Sequence, residues 1–223
     1  MGIISNIELT KVLLLDKRYH FWPELLGQCQ NVNINPEAFI VGRGHNFKYD
    51  YEDEDDIPPV LPASTSYPSW WKSQTYNAWK SHRKIFEECR TKNVNNLLLL
   101  EDDAFIESDF KEIVANVEQF FEKNDWDMIY FGCYAQPYTY CSTENKNVVR
   151  VNGVGGFHGV LMKRVVIDAL LNFGPISPYD EITHKYLHNI FNCYAIHPCI
   201  ISQRDNIFSE VEGTVLSKPS RNF

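Results

Sequence analysis

The 223-residue chain lacks the sequence marks of several large functional classes. It has no Gly-x-x-x-x-Gly-Lys-Ser/Thr segment, and no Gly-x-Gly-x-x-Gly follows its first predicted strand. Both glycine loops that commonly cradle phosphates are therefore excluded. The six cysteines, Cys29, Cys89, Cys133, Cys141, Cys193 and Cys199, form no Cys-x-x-Cys pair, which argues against a zinc knuckle. Most of them lie in apolar stretches, as expected of reduced core thiols in a cytoplasmic protein. Basic residues are in deficit: 21 Lys and Arg against 29 Asp and Glu give a formal net charge of -8. That balance offers no basic stripe for a nucleic acid. No signal peptide opens the chain, and no apolar run approaches membrane-spanning length, so no membrane span is expected.

What is present suits one α/β domain. The apolar fraction is 44%, enough for a sizeable core, and aromatics reach 14%, which serves either a core or the stacking of sugars. Buried strands are predicted over residues 11–16, 37–42, 97–100, 127–132 and 194–201, with an edge strand over 148–151. Helices are predicted over 21–30 with Pro23 in the first turn, from a Ser69 cap to about residue 92, after a Ser108 cap, over 164–173, and after a Ser177 cap. His82 falls on the apolar stripe of the second of these helices, as a buried, hydrogen-bonded histidine would. Strand and helix alternate in the first half, which predicts a mostly parallel central sheet flanked by helices. The expected division is a nucleotide-binding half over about 1–104, a less regular acceptor and catalytic half over about 105–212, and a polar tail over 213–223. An aromatic and acidic stretch over 49–56 and the prolines that follow it read as a long irregular loop.

The most informative segment is Leu97-Leu98-Leu99-Leu100-Glu101-Asp102-Asp103-Ala104. Four leucines in a row predict a strand buried on both faces, and such a strand ends at the sheet edge where α/β folds bind ligands. Three carboxylates there repel one another and call for a cation or a proton. Without a glycine phosphate loop, a divalent metal held by carboxylates is the other common way to bind a diphosphate.

This segment, preceded by a helix carrying Ser81-His82, resembles glycosyltransferase family 25, the lipooligosaccharide and collagen galactosyltransferase type, which has small relatives in large DNA viruses. Further resemblance lies in Leu14-Leu15-Asp16-Lys17-Arg18, in the run from Gly156 to Arg164 with Ala169-Leu170-Leu171, and in Tyr179-Asp180-Glu181 with Ile196-His197-Pro198 and Gln203. The loop over 49–68 and His158 depart from the family pattern.

The resemblance implies a GT-A fold, an inverting transfer and a nucleotide-sugar donor, with UDP the expected nucleotide, and a hydroxyl of a glycan or glycoconjugate as acceptor. The location it implies is the cytoplasm, the host's if the protein is viral. The acidic triplet then stands in the place of an Asp-x-Asp motif. Glu101 and Asp103, two apart on an extended chain, point the same way. Asp103 is the expected main ligand of Mn²⁺ or Mg²⁺, with Glu101 or Asp102 on the metal or the ribose. His197 is a candidate third ligand or a packed histidine. Asp16, Arg18, His82 and Gly156 are the other donor-side candidates, Gly156 because it lets a ligand approach backbone. Inversion also needs a base for the acceptor hydroxyl, and Asp180 is the candidate ahead of Glu181. Asp180 equally suits the first turn of a helix, where an acid is stabilising in itself. Two rival classes remain. A sugar-1-phosphate nucleotidyltransferase wants a glycine-rich basic loop where Asp16-Lys17-Arg18-Tyr19 stands, and a non-catalytic carbohydrate-binding module is usually all-β.

Overall fold

A computed structural model describes residues 2–41, 74–135, 139–174, 177–209, 214–216 and 220–222. The irregular stretch over 49–68, the Ser69 cap and the first two tryptophans of the predicted long helix lie outside these residues. In chain order the elements are β1 (Leu9–Leu15), α1 (Trp22–Asn31), β2 (Pro36–Val41), α2 (Gln74–Thr91), β3 (Asn96–Glu101), β4 (Ala104–Ile106), α3 (Phe110–Lys123), β5 (Met128–Tyr134), β6 (Tyr140–Ser142), β7 (Val148–Val151), β8 (Gly155–Lys163), α4 (Arg164–Leu171), α5 (Tyr179–Ile182), β9 (Cys193–Ile196), β10 (Ile201–Gln203), β11 (Ile207–Ser209) and β12 (Thr214–Leu216).

Among the described residues eight strands form one sheet in the order β2-β1-β3-β8-β5-β9-β7-β6. Only β8 and β7 run against the other six, so the sheet is mostly parallel in strand direction although both reversed strands make antiparallel pairs. The result is a mixed α/β domain with helices on both sheet faces.

The leucine run explains the layering. Leu97, Leu98, Leu99 and Leu100 are all fully buried. Because side chains alternate along a strand, Leu98 and Leu100 enter one core, with α1 and α3, while Leu97 and Leu99 enter the other, with α2 and α4. Burying four such side chains contributes on the order of 6–12 kcal/mol before entropy is counted.

Three local readings are corrected. β7 is not an edge strand, because the short β6 covers its outer side. The single strand predicted over 194–201 breaks at the cis peptide His197–Pro198 into β9, in the large sheet, and β10, which pairs with β4 instead. The caps expected at Ser108 and Ser177 are not formed. Asp109 and Pro178 occupy the N-cap positions of α3 and α5, neither with a side-chain cap bond, and Ser177 Oγ instead donates to Glu181 Oε2 at 3.0 Å.

β10 crosses the large sheet where β5 carries Gly132. A methyl group on Gly132 would overlap the Ile201 carbonyl, so the close approach of the two backbones requires glycine.

Behind the sheet, a buried chain of hydrogen bonds ties α5 to β5. His188 Nε2 lies 2.8 Å from the Tyr130 hydroxyl, which donates to Thr183 Oγ1 at 3.4 Å, and Thr183 Oγ1 donates to the Asp180 carbonyl at 2.7 Å. Burial holds His188 down to about 4, and a second proton would sit on its buried Nδ1, which has no hydrogen-bond partner. The unfolded histidine titrates near 6.5, so between about 6.5 and 4 the unfolded chain takes up a proton that the native one refuses. This contribution to stability is complete above pH 6.5 and is lost on acidification, about 2 kcal/mol of it by pH 5. Urea unfolding at pH 7 and pH 5 checks this. The parent is expected to lose about 2 kcal/mol more over that interval than His188→Gln.

Candidate functional site

β3 delivers Glu101 to the carboxyl edge of the sheet, and the two residues after it turn into β4. The three carboxylates of this turn separate. Asp102 folds back towards β1: its Oδ2 accepts the Leu15 N–H at 2.9 Å, and its Oδ1 accepts a hydrogen bond from Arg18 Nη1 at 2.7 Å. Burial raises the Asp102 carboxyl to about 6, the Arg18 charge opposing, so it is ionised at neutral pH. Asp103 turns the other way. Its Oδ2 accepts from Gln203 Nε2 at 2.8 Å, and its carbonyl accepts the Arg204 N–H at 2.7 Å. Its Oδ1 is buried and has no hydrogen-bond partner among the described residues. Burial, and then the charge of Glu101, raise the Asp103 carboxyl above its ordinary range.

The β3–β8 register supplies the missing neighbour. Leu100 pairs with Gly159, so one step further Glu101 stands opposite His158. Opposed residues on antiparallel strands put their side chains on one face. His158 Nδ1 lies 3.6 Å from Glu101 Oε2. The imidazole is 3% exposed, and among the described residues neither ring nitrogen has a hydrogen-bond partner. Burial would push this histidine down, but Glu101 outweighs it and holds the imidazole above its usual value. Burial would likewise raise Glu101, and His158 reverses that. One ligand atom from each of Glu101, Asp103 and His158 can be chosen so that all lie within 4.8 Å of one another. Tyr134 closes the group, its ring edge-on to His158 at 4.5 Å and its hydroxyl donating to Gln203 Oε1.

Asp180, in α5, reaches the same edge through Gly156, whose N–H donates to Asp180 Oδ2 at 3.3 Å. Gly156 has φ of 82°, and a methyl there would press on Tyr134 and on His158 Nε2, so glycine is required on both counts. Burial, and then Glu101, raise the Asp180 carboxyl. His82 sits within electrostatic reach of both acids. Its Nδ1 lies 2.8 Å from the Ala78 carbonyl, which can only accept, so Nδ1 carries a proton, and the buried Nε2 has no hydrogen-bond partner among the described residues.

The fold thus gathers Arg18, His82, Glu101, Asp102, Asp103, Gly156 and Asp180 along one sheet edge. Asp16 is exposed at the head of the short helical turn after β1. His197 falls outside the group: its backbone pairs with Asn147 across the end of β7, and His158 stands where a histidine ligand was sought. Sequence reasoning gave no role to His158, Tyr134 or Gln203. For His158 the one available signal was its position inside a glycine-flanked strand, where it departs from the family pattern.

No curated protein sequence matches the chain. Among solved structures, it is similar to A197 from STIV (14% identity, 97% of each chain, TM-score 0.45). It is also similar to a glycosyltransferase involved in the glycosylation of the major capsid of PBCV-1 (8% identity, 80% of this chain and 75% of that one, TM-score 0.41). A third is the inositol-1-phosphate CTP transferase from T. maritima (8% identity, 83% of this chain and 65% of that one, TM-score 0.39). The family comparison is specific to the segment that holds the acidic turn. Residues 79–154 match the family described as Glycosyltransferase family 25 (LPS biosynthesis protein), and it is this family that the chain resembles.

Proposed function

We propose that the protein is a metal-dependent, inverting glycosyltransferase that moves a sugar from a nucleotide-diphosphate donor, UDP being the expected nucleotide, to a hydroxyl of a glycan or glycoconjugate. The observation that carries this reading is the buried, unpartnered Oδ1 of Asp103 beside Glu101 and His158. A buried polar atom without a partner is costly, and a divalent cation at this point satisfies it. The residue set suits such an ion, with Asp103 and Glu101 as its carboxylate ligands. When bound, Mn²⁺ or Mg²⁺ supplies positive charge to the leaving diphosphate. Glu101 is 31% exposed on its side chain, so the site opens to solvent on the side where a donor would enter.

The remaining residues divide the work. Arg18 holds Asp102 and with it the turn, and also stands 3.9 Å from Asp103 Oδ2, beside the expected diphosphate. Gly156 and His82 border the donor sugar, and Asp16 borders the nucleotide. Asp180 takes the proton of the acceptor hydroxyl. The compartment this reading expects is the cytoplasm, the host's if the protein is viral. Among the described residues no helix is long and apolar enough to cross a membrane.

Calorimetric titration of UDP, other nucleoside diphosphates and their sugar derivatives, with and without Mn²⁺, tests the reading. Binding is expected to strengthen about tenfold or more with Mn²⁺, and Asp103→Ala is expected to remove that increment. Absence of nucleotide binding under either condition, or an increment that survives Asp103→Ala, would sink the proposal.

A further inference from the structure

The seat of His158 carries a sharper statement. An imidazole that is 3% exposed ordinarily spends at least one ring nitrogen on a hydrogen bond, and this one spends neither. The β3–β8 register sets it opposite Glu101, and Gly156 leaves room beside its Nε2. Tyr134 packs edge-on against the ring and is itself fixed through Gln203 to Asp103. The ring is therefore held in place by packing and by the charge of Glu101, 3.6 Å from its Nδ1, and it stands beside a site already furnished with two carboxylates.

Magnesium and calcium favour all-oxygen sites, whereas imidazole nitrogen suits the borderline first-row ions. We infer that His158 is a direct nitrogen ligand of the bound ion and that it selects manganese, and the later first-row ions, over magnesium. This rests on the reading that Glu101 and Asp103 hold a metal. It adds a residue from a different strand and a choice of ion that two carboxylates alone do not make. A β3 carboxylate pair with a β8 nitrogen also fixes the ion across two strands, so the ion's position depends on the register of β3 against β8.

The test uses the tag-free protein without nucleotide. Mg²⁺, Mn²⁺ and Co²⁺ are titrated separately by calorimetry. Expected affinities rise from Mg²⁺ to Mn²⁺ to Co²⁺, with Mn²⁺ about tenfold or more ahead of Mg²⁺. Electron spin echo modulation on the Mn²⁺-loaded parent is expected to show imidazole nitrogen coupling. In His158→Phe, which keeps a ring against Tyr134, that coupling should vanish and Mn²⁺ and Mg²⁺ affinities should converge to within about threefold. Should His158→Phe fail to fold, His158→Gln is read in the same way, and the parent spectrum alone is already decisive in the negative. Equal affinity for Mg²⁺ and Mn²⁺, no nitrogen coupling in the parent, or coupling that persists in the variant overturns the assignment. A separate arm titrates UDP in Mg²⁺ and in Mn²⁺. Selective, His158-dependent metal binding without UDP binding supports the ligand assignment and removes the transferase reading. UDP binding with no preference between the metals, and no effect of His158→Phe on metal affinity, removes the assignment and leaves the transferase.

Discussion

Asp180→Asn is expected to lower sugar transfer by about 10²–10⁴-fold while donor affinity stays within about twofold. The Gly156 N–H donates to Asp180 Oδ2 and fixes one carboxylate oxygen at the sheet edge. Asn preserves the shape and an acceptor oxygen for that N–H, so neither the α5 start nor the donor side should move. It cannot accept a proton. The hydrogen-bond chain from His188 through Tyr130 and Thr183 ends on the Asp180 backbone carbonyl and is untouched by the substitution. A loss of turnover with unchanged KM for the donor is therefore a statement about proton transfer and not about folding. Steady-state kinetics with UDP-sugar and acceptor, alongside calorimetry of UDP, would settle it. Unchanged turnover would take Asp180 out of the mechanism, and His82, with its buried Nε2, would become the next candidate.

The second large effect falls on stability. Gly132→Ala is expected to cost about 3 kcal/mol or more, because the added methyl meets the backbone carbonyl of Ile201 and not the end of a flexible side chain. For a chain of this length that corresponds to a fall in Tm of roughly 6–12 °C. The strain has one obvious relief, a lift of β10 away from β5. Gln203, the last residue of β10, would then leave Asp103 and Tyr134. The substitution should thus weaken Mn²⁺-dependent nucleotide binding as well as stability, although Gly132 touches neither ligand. Thermal unfolding and calorimetry on the same sample test the pair of effects. A drop in Tm with unaltered binding would show that the sheet, and not β10, absorbs the strain.

How far the sequence led depended on whether the information was local. The four leucines were legible because a strand buried on both faces leaves no polar position to interrupt the run. The acidic turn was legible because it follows that strand directly. Arg18 was legible as a basic turn after the first strand, but its partner Asp102 was not, since 84 residues separate them. His158 was beyond reach for the same reason. Only the β3–β8 register places it opposite Glu101, and no periodicity within either strand encodes that register. The predicted strand over 194–201 went wrong at His197–Pro198, where apolar character continues without interruption while the backbone leaves one sheet for another. Hydrophobicity reports burial in both places and cannot say against which partner.

The central place of β3, between β1 from the start of the chain and β8 from its later part, has a consequence for the order in which the molecule comes into being. During synthesis the acidic turn leaves the ribosome with β1 already made, but β8 begins only some 50 residues later and Gln203 lies 100 residues beyond Asp103. At roughly 5–20 residues per second, Asp103 waits about 5–20 s for that partner. Until then the segment is a hydrophobic strand with one open edge and an acidic end on which only Asp102 has its partner, Arg18. A nascent chain halted after residue 154 would carry the whole region that the family comparison recognises, yet no His158, Asp180 or Gln203. The site is thus completed only when the later strands arrive and the sheet closes around it.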